Sequence, residues 1–431
     1  MTGNKTIAAL VLAAGYSSRM GGLKPLLPLG QSTALEEVVR RFRQAGIADI
    51  RVVTGHRAED IAPVLDRLGV RQIFNPEYDK GMFSSIRAGL GTLGPGIEAF
   101  FLLPVDIPLI RPGTIAALVQ ARRQHNADVI YPCLEGRRGH PPLISTACVA
   151  DLPQDQAGGL RAYLAQHDGP VLDLEVLDEF ILNDFDTPED YHRLQLIATK
   201  DDIPTERECR AFWTRYHVPQ NVIAHSRLVA DLAKTLGLHL NRAGFRLDID
   251  LLAAAGLLHD LAKGQRHHAR IGAEILDWLG FGRVARIVAA HTDMPQKDLS
   301  LDESDLIYLV DKFAAGDRIV QLEERLAGSW IRFAGRPDIL QAVARRFEYA
   351  QAIKDHMEEV LGVPVEDVIR RVEGDLPIAS LDEPRQIYLI RPGAGRHSEN
   401  GRRYIGQMDL PLSDVGISQV ESSRDSHAHP A

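Results

Sequence analysis

The apolar periodicity of the chain changes near residue 200, and that change restricts the folds open to it more than any other feature. Up to residue 197 short apolar runs alternate with helical patterns. TIAALVLA (6–13), IRVVTG (50–55), VRQIF (70–74) and AFFLLPV (99–105) read as buried strands, with helices expected over 33–45, 58–68, 82–92 and 113–124. Alternation of this kind requires a mostly parallel sheet with helices on both faces, and such sheets bind ligands at the C-terminal ends of their strands. From about 205 to 375 the strand-like runs vanish. Helical periodicity dominates instead, over 219–237, 249–263, 267–279, 283–291, 303–327 and 337–361. The expectation is an α/β domain over 1–198 and an all-α domain over 205–375, joined by the charged, proline-containing ATKDDIPTE. A third pattern starts at 386 with QIYLIRPG and ends at 431 in the polar SSRDSHAHPA.

Composition narrows the function classes. The 431 residues carry a net charge of −9, which gives no electrostatic footprint for a nucleic acid. A site that handles phosphate must therefore be built from a few local cations and metal ions. No apolar run approaches bilayer length, and IAALVLAAG is followed by a Gly-rich polar loop where a signal peptide would have a cleavage site. The three cysteines, Cys133, Cys148 and Cys209, form neither a disulfide framework nor a thiolate zinc site. A cytoplasmic protein with no membrane partner is expected.

The first strand opens into AAGYSSRMGGLKPLLPLG (13–30). Glycine and serine let backbone N–H groups approach a polyphosphate, and Arg19 and Lys24 are spaced to meet it from either side. Taken alone, a Gly-rich loop with two cations is as readily a solvated βα turn. As a string, however, LAAGxSxRMGxxKxLLPL resembles the signature loop of the molybdopterin and sugar-phosphate nucleotidyltransferases, and most of all the molybdenum cofactor cytidylyltransferases. The resemblance covers roughly 6–197 and implies a Rossmann-like domain. It places Leu12, Ala13, Ala14, Gly15, Arg19 and Lys24 around the nucleotide, with Arg19 and Lys24 on the triphosphate. Guanylyl-transferring relatives usually read LAGG, so Ala14 implies CTP as donor.

Four further blocks follow in the family order. NPEYDKGMFSSIRAGL (75–90) resembles the segment that faces the nucleotide, with Gly81, Ser84 and Ser85 opening a helix whose amides suit an anion; an ordinary helix start is the alternative. LLPVDIPLI (102–110) puts Asp106 just beyond a buried strand, where a carboxylate suits Mg²⁺. RRGHPPLIS (137–145) resembles the family's acceptor-covering segment. LNDFDTPEDY (182–191) resembles its DIDTPEDL segment, which implies Asp186, or its neighbour Asp184, as second metal carboxylate. Without the resemblance DTPED is a capped helix start. The implied reaction is attack by an acceptor phosphate on the α-phosphate of an NTP, with loss of pyrophosphate. Arg19, Lys24 and Mg²⁺ on Asp106 and Asp186 align and neutralise the anions, and no side-chain nucleophile is needed. Molybdopterin is the implied acceptor and a molybdoenzyme the implied recipient of the cofactor; a sugar or alcohol phosphate is the competing acceptor.

In the helical region His225, His268, His291 and Asp311 fall in register with apolar stripes, and His259-Asp260 closes the apolar run LLAAAGLLHD. One such histidine is ordinarily a satisfied core residue. Five elements each turning a titratable group inward need a common partner, since burying them unpaired is costly. The order H…HD…H…H…D, with LLHDLAKG and HHARIGAEIL, resembles the HD superfamily of metal-dependent phosphohydrolases. That resemblance implies one metal on His225, His259, Asp260 and Asp311, and a second on His268 and His291. Such mixed nitrogen and oxygen ligands suit Mn²⁺, Fe²⁺, Zn²⁺, Co²⁺ or Ni²⁺. A metal-activated water would attack a phosphoester, with Lys263 near its phosphate, and His267 is left on the surface. The competing expectation is a metal and nucleotide sensor that hydrolyses nothing.

Finally, IYLIRPGAGRHSENGRRYIGQMDLPLSDVGISQ (387–419) resembles the opening of histidine phosphatases. Where that family has R-H-G, this chain has Arg391-Pro392-Gly393. Proline has no nucleophile, so the segment 386–431 is expected to be a degenerate, truncated module.

Overall fold

Strand β1 (Thr6–Ala13) is the centre of the first domain, because a run of apolar side chains with both faces covered cannot sit at an edge; residues 8–11 are fully buried. It pairs in parallel with β2 (Asp49–Thr54) on one side and β4 (Ile97–Pro104) on the other, and β3 (Arg71–Phe74) continues parallel beyond β2. On the far side β5 (Val129–Leu134), β6 (Leu143–Ser145) and β7 (Val171–Glu175) complete the order β7-β5-β6-β4-β1-β2-β3. Only β6 in that path runs antiparallel to its neighbours, and the short Arg137–Arg138 strand pairs with β5. The computed structural model describes residues 6–294 and 300–375.

Helices α1 (Ala34–Gln44), α2 (Ala58–Leu68), α3 (Met82–Leu90), α4 (Pro112–Gln124), α5 (Gly159–Ala165) and α6 (Pro188–Ala198) belong to this layer system. Two apolar cores form, one on each face of the sheet. The four strands and four helices expected from the sequence are present within a few residues. The pattern had not signalled β5, β6 and β7. Strand β5 carries Pro132, β6 has three residues, and β7 alternates between exposed and half-buried positions as an edge strand does.

The second region is all helical apart from one tiny hairpin: α7 (Glu206–Arg215), α8 (Gln220–Arg242), α9 (Ile249–Leu258), α10 (His268–Trp278), α11 (Gly282–Ala290), α12 (Glu303–Phe313), α13 (Leu322–Arg332), α14 (Pro337–Leu361) and α15 (Val365–Asp375). The single helix expected over 303–327 is two. It breaks at Gly316, which has φ of +64° and turns the chain between the paired segments Ala314–Ala315 and Arg318–Ile319. Helix α9 likewise stops at Leu258, five residues early, and leaves His259-Asp260 in the turn that follows.

The segment between the two regions is not a loose tether. The described residues up to Gly374 form one compact unit, Ile203 is buried, and Ala211 of α7 packs into the core of the sheet domain. Residues 386–431, with the histidine-phosphatase resemblance, lie outside the described residues.

Candidate functional sites

At the C-terminal ends of β1 and β4 a cleft of about 570 Å³ opens, within the range of small-molecule sites. Leu12, Ala13, Ala14, Gly15, Arg19, Lys24, Gly81, Ser85, Asp106 and Asp186 all line it. Lys24 is its electrostatic centre. Its Nζ donates to Asp106 Oδ2 at 2.9 Å and to Asp186 Oδ1 at 2.5 Å, so it joins two carboxylates 80 residues apart in sequence. Burial alone would lower the Lys24 ammonium, but Asp186 and Asp106 outweigh it and raise its pKa. The loop is held from inside: Lys24 N donates to Ser17 Oγ at 3.0 Å, and Ser17 takes a positive φ of 54°. Arg19 is mostly exposed, with a guanidinium nitrogen 3.8 Å from Asp186; at that range it is free to move onto a ligand.

Asp186, not Asp184, is brought to the cleft. Phe185 between them is buried and its N–H donates to Asp106 O at 3.1 Å, which locks the two metal-type carboxylates side by side. Ser84 is not in the lining. Its hydroxyl lies 2.7 and 2.8 Å from Glu77 O and Gly81 O, which share its one hydrogen, and with Ser85 it accepts from the buried Asn75 amide. Sequence reading had missed Asn75, although an amide at the end of β3 is the natural clamp for two hydroxyls at the start of α3.

It had also missed Tyr16 and Tyr78, which line the cleft with ring centroids 5.5 Å apart. Gly55 makes room for Tyr78, since a methyl there would overlap the tyrosine Cβ. His140, from the segment expected over the acceptor, is largely buried with no partner for Nδ1, and burial lowers its pKa.

The second site sits among α8, α9, α10, α11 and α12. His225 and His259 meet Asp260 on one side, and His268 and His291 meet it on the other; within each trio the ligand-type atoms lie within 4.8 Å of one another. Asp260 Oδ2 faces His259 at 3.6 Å and His225 at 3.9 Å. Its Oδ1 faces His268 at 3.1 Å and His291 at 3.5 Å. Asp311 Oδ1 closes the first trio, 3.1 Å from His225 Nε2.

Three backbone carbonyls orient the imidazoles. His225 Nδ1 donates to Gly316 O at 3.2 Å, His259 Nδ1 to Gly256 O at 2.8 Å and His291 Nδ1 to Val288 O at 2.7 Å. A carbonyl only accepts, so each Nδ1 carries a hydrogen and each ring turns its Nε2 inward toward the carboxylates. Gly256 permits this packing, since a methyl there would lie 2.5 Å from Ala230 Cα on α8.

The electrostatics suit a cation. Both Asp260 oxygens and His268 Nε2 are buried without a hydrogen bond of good geometry. Burial raises the Asp260 carboxyl, but His259, His268 and His291 outweigh it and hold it far below the usual range; Asp311 is held down in the same way, by His225 and His259. Burial lowers His259, and Asp260 and Asp311 more than reverse that. Lys263 Nζ stands 2.8 Å from Asp260 Oδ2, half exposed at the rim, and His267 lies on the surface. The donor set of imidazole nitrogens and carboxylates fits a divalent transition metal.

Residues 9–171 match the MobA-like NTP transferase domain, and residues 222–316 match the HD domain. The chain carries a nucleotidyltransferase domain followed by an HD domain. Over 187 residues it is 29% identical to the molybdenum cofactor cytidylyltransferase of Escherichia coli, covering 43% of this chain and 93% of that protein. A bifunctional IPC transferase and DIPP synthase of Rubrobacter xylanophilus is 38% identical over 111 residues, 24% of this chain and 25% of that protein. Among solved structures, Rv0371c of Mycobacterium tuberculosis is similar over 45% of this chain and 99% of that one, at 26% identity and a TM-score of 0.41. The two domains mark the chain as an enzyme. No helix among the described residues is long and apolar enough to cross a membrane.

Proposed function

We propose that residues 1–198 form a cytoplasmic molybdenum cofactor cytidylyltransferase that uses CTP, and that residues 205–375 form a metal-dependent phosphohydrolase. The observation that carries the first half is Lys24 held between Asp106 and Asp186 at the mouth of the phosphate loop. An oxygen of the acceptor phosphate, on molybdopterin, attacks the α-phosphorus of CTP. The bond from that phosphorus to the bridging oxygen breaks, and pyrophosphate leaves with the electron pair. The acceptor is already anionic, so no base has to deprotonate it. Asp106 and Asp186 offer the oxygen ligands that Mg²⁺ prefers, and Mg²⁺ bound there would neutralise charge on the phosphates. Lys24 holds the two carboxylates in place, and Arg19 closes on the triphosphate from the open side. Ala14, Gly81 and Ser85 line the same cleft and would border the base of the bound nucleotide.

The phosphohydrolase half rests on the three inward Nε2 atoms around Asp260, each ring oriented by a backbone carbonyl at Nδ1. His225, His259, Asp260 and Asp311 would hold one metal, and Asp260, His268 and His291 a second; metal bound there would supply an activated water for attack on a phosphoester. Lys263 stands at the rim to meet the substrate phosphate. Pyrophosphate release with each of the four nucleoside triphosphates and molybdopterin tests the transferase, with sugar and alcohol phosphates as competing acceptors. Release with CTP and molybdopterin is expected, and release only with another pair would replace this assignment.

A further inference from the structure

Position 111 breaks a local rule. It is the residue before α4, whose first residue is Pro112. Such cap positions favour Ser, Thr, Asp or Asn, whose side-chain oxygen accepts from the first turn. Arg111 has no such oxygen. The carboxylate of Asp178 braces the helix start from outside, accepting from the backbone N–H of Arg111 and from Thr114 Oγ1 at 2.8 Å each. A sequence that gives up a good cap generally gains something elsewhere.

The gain is on the far side of the domain boundary. The Arg111 guanidinium forms two bonds to Glu208 of α7, at 2.7 and 2.6 Å, with side-chain exposures of 9% and 0%. It also donates to Asp201 O, and lies 4.6 Å from the ring centroid of Phe281 between α10 and α11. Glu208 cannot swing to follow it. Glu208 is the third residue of α7, and its Oε2 accepts from Thr205 N at 2.9 Å while Thr205 Oγ1 accepts from Glu208 N in return. A rigid carboxylate on the helical domain thus grips a residue five positions after Asp106. Between them lie Ile107, Leu109 and Ile110, all buried, so the segment has little slack. Its other end is fixed by Val105 N on Leu12 O at 3.0 Å.

We propose that Arg111 is a positioning residue for nucleotidyl transfer: through Glu208 it fixes the Asp106 loop to α7, so the helical domain is part of the scaffold of the transferase site. This rests on the transferase assignment above. Helix α7 also reaches the second site, since Trp213 Nε1 donates to Leu257 O at 2.9 Å, two residues before His259.

The experiment uses the full chain and three variants: Glu208→Gln, Arg111→Lys and, as control, Arg41→Gln. Arg41 also makes a boundary ion pair, to Asp201 at 2.6 Å, but its other ion pair is to Glu37 on α1 and it has no bond to Glu208 or to residues 105–111. Two readouts are taken at a temperature where circular dichroism shows each variant folded: hydrogen exchange of the 105–110 and 185 amides, and the Mg²⁺ concentration for half-maximal pyrophosphate release. Breaking a buried pair is costly enough for Glu208→Gln to raise both about tenfold, with Arg111→Lys intermediate. Arg41→Gln is expected to lower the melting temperature and leave both readouts unchanged. Unchanged exchange and Mg²⁺ dependence in folded Glu208→Gln would overturn the proposal, as would equal changes in Arg41→Gln. Exchange needs no turnover. A wild-type chain inactive with every triphosphate would therefore refute the transferase assignment, while exchange still decides whether Glu208 holds the loop.

Discussion

His225 and His259 point their Nε2 atoms at each other across 3.3 Å, while both Nδ1 atoms donate to backbone carbonyls. Two neutral rings in that arrangement present lone pair to lone pair. A positive charge must stand between or beside them, either a proton or a metal ion, and the raised pKa of His259, set by Asp260 and Asp311 against burial, expresses the same demand.

Metal binding should therefore add to the stability of the folded chain by linkage. Held at about 100 times its Kd, a metal adds about 2.7 kcal/mol, or about 5–10 °C in melting temperature for a domain of this size. Chelation should remove that increment and Mn²⁺ should restore it. The paired change His259→Ala with Asp260→Ala should abolish both the metal content and the response. Elemental analysis that finds no metal, with no shift in the transition on chelation or Mn²⁺ addition, would leave this site a proton-bridged core.

Gly256→Ala should disturb the same site from outside it. The added methyl meets Ala230 Cα at 2.5 Å and its backbone nitrogen at 2.7 Å, so α8 and α9 must separate. Overpacking of that kind costs about 1–3 kcal/mol. The carbonyl that orients His259 moves with it, so Mn²⁺ titration should show weaker binding as well as a lower denaturation midpoint. A variant with wild-type metal affinity would show that helix spacing does not set the ligand geometry.

Asp106→Ala should lower the rate of transfer by about 10³-fold, the scale of losing one preorganised charge stabiliser. The fold should survive, because Lys24 keeps Asp186 as a partner. Near-normal turnover in a folded variant would remove Asp106 from the metal-ligand role.

Much of both sites was legible in the chain. The phosphate loop follows a fully buried apolar run, and the inward histidines kept helical register with apolar neighbours, so local periodicity located them. Asp184 and Asp186 were not separable in sequence, because only the burial of Phe185 decides which of them faces the cleft. The break at Gly316 was hidden because apolar residues continue in register on either side. Arg111 and Glu208 were invisible for another reason: each reads as an ordinary surface charge, and the pair exists only after two domains pack across a separation of 97 residues.

Acid should weaken the fold through His140. Burial depresses its folded pKa, so the unfolded chain binds more protons below the ordinary histidine value of about 6.5. The stability it contributes is complete above that pH and is lost as pH falls through it. His140→Asn should flatten the dependence of melting temperature on pH between about 5 and 7 relative to wild type. Parallel profiles for the two proteins would mean that this imidazole is not buried in its neutral form.

The central claim is nucleotidyl transfer in the cleft of Lys24, Asp106 and Asp186, and phosphorus-31 NMR of the full chain with Mg²⁺, CTP and molybdopterin tests it most directly. CTP signals are expected to be replaced, in equal amounts, by those of pyrophosphate and a diphosphate-linked product, and GTP to react more slowly. Intact CTP beside unchanged molybdopterin, or faster conversion of GTP, would contradict it.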